Sequence, residues 1–259
     1  MQDAQELTGG RESIYRVGDS VYRPLQPWSS TIHNLLNQLQ AAGLSESPKF
    51  IGIDGDQEML SFVAGDTYNY PLTNAITSTE ALISAAKLLR KIHDASVVFA
   101  QQENISSFTW MLPPQEPYEV ICHGDFAPYN VALTGNLVTG VFDFDTAHPA
   151  PRVWDLAYSL YCWAPFKTSS DDKLGTLEEQ ISRAKLFCDS YGTSDYQKKQ
   201  IPDFMIKRLN ALVNFMRQEA NKGNQQFCEN IDQGHLKSYL RDIEYIESNK
   251  PKILSGLCN

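Results

Sequence analysis

Cys122-His123-Gly124-Asp125-Phe126-Ala127-Pro128-Tyr129-Asn130, followed by Phe142-Asp143-Phe144-Asp145, decides how this chain is read. Asp125, Asn130 and Asp143 match a phosphoryl-transfer centre in type and spacing. The first aspartate would orient a hydroxyl and accept its proton. The asparagine and second aspartate would supply the hard oxygen ligands that Mg²⁺ prefers, with water and phosphate oxygens completing its shell. His-Gly-Asp alone says little, since Asp125 and Asn130 in a surface turn can hydrogen-bond their own backbone. The flanking segments add the context. Glu119-Val120-Ile121-Cys122 reads as a short strand that delivers the loop, and Leu137 to Phe142 reads as a hairpin partner with Thr134-Gly135-Asn136 as its turn.

Asn130 follows Asp125 at the offset that separates Asp from Asn in the kinase catalytic loop. Together with Trp154-Asp155-Leu156-Ala157, these stretches resemble the aminoglycoside phosphotransferase and choline kinase group. The resemblance runs from about Leu7 to about Tyr161 and is sharpest between Cys122 and Ala157. It implies an α+β, two-lobed, protein-kinase-like fold. A small β-rich N-lobe would take residues 1–65 and a larger, mostly helical C-lobe residues 66–259. It also implies ATP and Mg²⁺, with the γ-phosphate moved to a hydroxyl of an aminoglycoside-like or amino-alcohol acceptor. Asp125 would be catalytic, Asn130 and Asp143 would hold metal, and Asp155 would brace the loop. For Asp145 the choice lies between touching metal or substrate and a capping role.

The first third carries the expected nucleotide site. Gly9-Gly10 lies before a strand at Ser13 to Val17, where glycine lets backbone amides approach phosphate oxygens. Gly18-Asp19 turns the chain into a strand at Ser20 to Arg23. Arg23 falls where kinases carry their phosphate-contacting lysine, and a planar fork is not equivalent to a point charge. Trp28 to Leu39 reads as a serine-capped helix with Ile32, Leu35, Leu36 and Leu39 on one face. The glutamate that pairs with the kinase lysine is missing between Leu25 and Ser45, and His33 is the nearest titratable group. Lys49 to Ile53 and Glu58 to Val63 read as strands. The second would end at a hinge where backbone at Ser61, Phe62 and Val63 reads adenine, with Ala64-Gly65-Asp66 as the boundary. Arg23 and the missing glutamate leave a second function open, a nucleotide-binding pseudokinase module. A protein kinase is disfavoured because Asp145, not glycine, follows Phe144.

Thr77 onward keeps a helix period through Leu82, Ala85, Ala86, Leu89 and Ile92. Leu177 to Tyr191, Phe204 to Met216 and His235 to Ile246 read as further amphipathic helices. Asp171, Asp172, Glu178 and Glu179 suit either an acidic rim for a cationic substrate or a loop and helix start. Trp154, Trp163, Tyr158 and Tyr161 read as core.

A net charge of −9 disfavours a nucleic-acid partner; it would suit a cationic acceptor, or simply serve solubility. The five cysteines form no Cys-x-x-Cys pair and read as reduced thiols, Cys122 as a small buried hydrophobe. A polar start and the lack of a long apolar run point to a cytoplasmic protein without membrane partners. Neither the acceptor nor the oligomeric state is written in these residues.

Overall fold

A computed structural model describes residues 4–7 and 14–259, the side chain of Ser106 excepted. Gly9 and Gly10, the expected phosphate-covering turn, lie outside the described residues. By its internal contacts the chain separates into two compact units. One comprises Met1–Thr67, Leu88–Phe126 and Asn130–Arg152, the other Tyr68–Lys87, Ala127–Tyr129 and Val153–Asn259.

Short alternating segments in the first unit pair into a sheet. Its strands are β1 (Gln5–Leu7), β2 (Ile14–Val17), β3 (Ser20–Pro24), β4 (Phe50–Asp54) and β5 (Gln57–Ser61), in the order β1-β2-β3-β5-β4. Every pair is antiparallel. Gly18 takes φ 59, the left-handed conformation that a tight reversal between β2 and β3 requires. The β3–β5 register sets Arg23 opposite Glu58.

Helix α1 (Ser29–Ala41) buries Ile32, Leu35, Leu36 and Leu39, the expected apolar stripe. The expected serine cap is not made. Trp28 is the N-cap residue without a side-chain bond, and Ser29 Oγ instead accepts the Gln26 amide at 2.9 Å. Helix α2 (Thr79–Ala100), which belongs to the second unit up to Lys87 and to the first from Leu88, buries Leu82, Ala85, Ala86, Leu89 and Ile92. Two short ladders complete the first unit. Strand β6 (Val120–Cys122) pairs with β9 (His148–Ala150), a partnership the sequence did not suggest, and β7 (Val131–Thr134) pairs with β8 (Leu137–Val141).

The second unit is helical. Its elements are α3 (Arg152–Trp163, of which Arg152 belongs to the first unit), α4 (Leu177–Tyr191), α5 (Asp195–Asn221), α6 (Gln225–Asp232) and α7 (His235–Cys258). Thr176 with Glu179 and Ser194 with Gln197 form reciprocal capping boxes that start α4 and α5. Glu179 is thus a cap for α4, which settles its place at a helix start. Helix α5 extends past both ends of the expected Phe204 to Met216 and α7 past the expected Ile246, and each carries an internal proline, Pro202 and Pro251. A proline costs a helix interior about 3 kcal/mol. Burial of Ile201, Met205 and Leu209 in one, and of Ile253 and Leu257 in the other, offsets that cost. Trp154, Tyr158, Tyr161 and Trp163 are all buried, as expected of core.

Candidate active site

Strand β6 ends at Cys122, which is buried, and the chain must then reverse to present Asp125. Gly124 makes the reversal at φ +81, where a Cβ would sit 2.3 Å from the Thr146 carbonyl oxygen. Only glycine fits there. His123, fully buried, ties the turn together. Its Nδ1 accepts the Asp125 amide at 3.3 Å and its Nε2 donates to the Phe142 carbonyl at 3.0 Å, which defines a neutral ring protonated on Nε2. Thr146 Oγ1 closes the arrangement by donating to the His123 carbonyl at 3.0 Å.

The β7–β8 hairpin brings the other two residues together. Val131 pairs with Val141, so Asn130 and Asp143 flank the open end of the hairpin, and the Phe142 amide donates to the Asn130 carbonyl at 3.0 Å. Asn130 Nδ2 donates to the Asp125 carbonyl at 2.9 Å and to Asp125 Oδ2 at 3.0 Å. Both bonds leave from the nitrogen, so neither occupies Oδ1, the amide atom able to bind a hard cation. Asp143 takes φ 63 and ψ 66. That left-handed conformation is uncommon for a residue with a side chain and is of the kind found at functional sites. Its carboxylate is half exposed. An amide oxygen and an accessible carboxylate on adjoining backbone are a donor set suited to Mg²⁺.

Arg23 completes the cluster. Its Nε donates to Glu58 Oε1 at 2.6 Å and its Nη2 to Asp145 Oδ1 at 2.7 Å, while Nη1 lies 3.8 Å from Asp143 Oδ1. Asp145 is therefore a partner of Arg23. The fully buried Glu58 also meets His33 Nε2 through Oε2. Burial alone would weaken the Arg23 guanidinium's hold on its proton, but Asp145, Glu58 and Asp143 outweigh burial and raise its pKa. Burial likewise opposes the Glu58 carboxylate, yet His33 and Arg23 hold its pKa below the usual range. Asp145 moves the other way. Burial raises its pKa, and repulsion from Asp143 and Glu58 adds to what Arg23 only partly cancels.

Residues 98–187 match the phosphotransferase enzyme family. The family match takes in the segment from Cys122 to Asp145 and not Arg23, His33 or Glu58. The trifolitoxin immunity protein of Rhizobium leguminosarum bv. trifolii is 32% identical over 232 residues, which cover 86% of this chain and 85% of that protein. The chain belongs to the phosphotransferase enzyme family. Solved structures agree on the fold. A putative aminoglycoside phosphotransferase from Ralstonia eutropha JMP134 superposes with a TM-score of 0.64 at 14% identity, covering 95% of this chain and 92% of that one. A choline/ethanolamine kinase family protein from Mesorhizobium loti gives 0.61 at 13% identity, covering 99% and 92%. The fold of this phosphotransferase family member is protein-kinase-like, with a small antiparallel sheet and a larger helical part.

Of the expected nucleotide-binding residues, Arg23 joins the cluster around Asp143. Ser61 ends β5, and its amide donates to the Lys49 carbonyl at 2.9 Å. The Phe62 amide donates to the Asp19 carbonyl at 2.8 Å, and the Phe62 ring lies under the Arg16 guanidinium. Val63 follows outside the strand. Asp155 is buried on α3. Sequence reasoning missed Glu58, although a trace was present. Glu58 and Leu60 alternate onto one buried strand face, and a carboxylate there demands a cationic partner.

Proposed function

We propose that the chain transfers the γ-phosphoryl group of ATP to a hydroxyl of a small molecule. The observation that carries this reading is the bonded grouping of Asp125 with Asn130, set beside Asp143 across the β7–β8 hairpin. Asp125 orients the acceptor hydroxyl and takes its proton late in the reaction, since the transition state is loose and positioning dominates. Asn130 Nδ2 fixes that carboxylate, while Asn130 Oδ1 and Asp143 would hold Mg²⁺. When bound, Mg²⁺ neutralises charge on the phosphates. Arg23 directs its remaining N–H groups to phosphate oxygens. Among the expected hinge residues, Ser61 and Phe62 commit their amides to the Lys49 and Asp19 carbonyls, so backbone at Val63 is assigned to adenine. Gly9 and Gly10 are assigned to covering the phosphates. We place the boundary between nucleotide-binding and substrate-binding lobes near residue 65, and the protein in the cytoplasm, where ATP is available.

ADP release over a panel of aminoglycosides and amino alcohols tests the reading. Turnover with one of them, lost in Asp125→Asn, supports it. Mg-ATP binding without turnover on any acceptor favours the pseudokinase module. A second reading concerns the acceptor alone. The relative named as a trifolitoxin immunity protein favours a hydroxyl on a toxin, and trifolitoxin in the same panel separates the two.

A further inference from the structure

The glutamate absent from α1 has a counterpart elsewhere in the sheet. Glu58 stands opposite Arg23 on the neighbouring strand, is fully buried, and grips the Nε edge of the guanidinium at 2.6 Å. Its second oxygen is held by His33, which comes from α1, the helix that carries the glutamate in kinases. His33 is itself fixed, its ring stacked on Phe50 at 3.8 Å between centroids and 16° between planes. Each carboxylate oxygen of Glu58 thus has one partner, and the carboxylate cannot turn without breaking a buried bond.

The geometry points to Glu58 and His33 as positioning residues that aim Arg23 at nucleotide phosphate, a role that rests on the function proposed above. With Nε held by Glu58, the far edge of the guanidinium faces Asp145 at 2.7 Å and Asp143 at 3.8 Å. The fork separates gripping from binding. Nε serves the clamp, and the Nη donors not used by Asp145 serve the phosphates. Lysine presents its three donors from one tetrahedral nitrogen and lacks the two separate edges that the guanidinium offers here.

The test pairs calorimetric Mg-ATP titration with the ¹⁵N-arginine Nε–H spectrum of the ligand-free protein, Arg23 being assigned through Arg23→Lys. In wild type the Arg23 Nε–H signal is expected to exchange slowly with water. Glu58→Gln should speed that exchange and weaken Mg-ATP binding about tenfold or more. In turnover, KM for Mg-ATP should rise by a larger factor than kcat falls. His33→Leu should act in the same direction, and His33→Gln, which keeps a donor near Nε2, should recover much of the loss. Arg23→Lys should weaken Mg-ATP binding. A wild type that binds no Mg-ATP overturns the phosphotransfer reading and this role with it. A wild type that binds, alongside a Glu58→Gln variant with unchanged Nε–H exchange and unchanged affinity, overturns the clamp alone. Tighter binding by Arg23→Lys also overturns it.

Discussion

Between Cys122 and Thr146 the site is held by neighbours close in sequence. Asn130 reaches back five residues to Asp125, and His123 bonds the backbone of the segment that leads into Asp143. Around Arg23 the partners are distant. Glu58 lies 35 residues away and Asp145 lies 122 residues away. The loop is built on a glycine and on neutral side chains that bond nearby backbone, and the Arg23 cluster on side-chain charges brought together by strand register. A site hung on its own turn fails when that turn is altered. A charge-built site should respond to pH and to loss of a single partner.

Asp125→Asn should give the largest effect, a loss of roughly 10²–10⁴-fold in turnover with Mg-ATP binding retained. Single-turnover ADP release checks it, and unchanged turnover would remove Asp125 from the chemistry. Gly124→Ala attacks the backbone side of the comparison. Its left-handed φ and the 2.3 Å approach to Thr146 should cost about 2–3 kcal/mol, a fall in Tm of roughly 4–10 °C by calorimetry.

Acid titration probes the charge-built side. Glu58 has a folded pKa below its unfolded value, so its contribution is fully present above about pH 4.5 and is lost as pH falls through the lower, folded pKa. Urea melts should therefore show stability declining on acidification below about pH 4.5, with a shallower decline in Glu58→Gln. The smallest effect serves as the control. The Lys250–Asp203 pair of the helical unit is about half exposed on both sides, and Asp203→Ala should change stability by less than about 0.5 kcal/mol.

The same contrast explains what could be read from the chain. Asp125, Asn130 and Asp143 were legible because their spacing encodes the loop and hairpin that place them, and α1 and α4 were legible from apolar period. The Arg23–Glu58 pair was hidden because it depends on which strands are neighbours and in what register. Looking for a glutamate on the helix missed one on the strand. Helices α5 and α7 extend beyond the Phe204 to Met216 and His235 to Ile246 read from period, and run through Pro202 and Pro251, where burial of distant side chains overrides local propensity. The pairing of β6 with β9 was unreadable because each strand has only three residues.

The claim that Asn130 and Asp143 form the metal-dependent centre of a phosphotransferase can be tested without knowing the acceptor. Calorimetric titration of ATP, with and without Mg²⁺, into wild type and Asp143→Ala addresses it directly. Wild type should bind ATP markedly more tightly with Mg²⁺, and Asp143→Ala should lose that difference while remaining folded. ATP binding that is indifferent to Mg²⁺ in wild type, or equally Mg²⁺-dependent in both proteins, would contradict it.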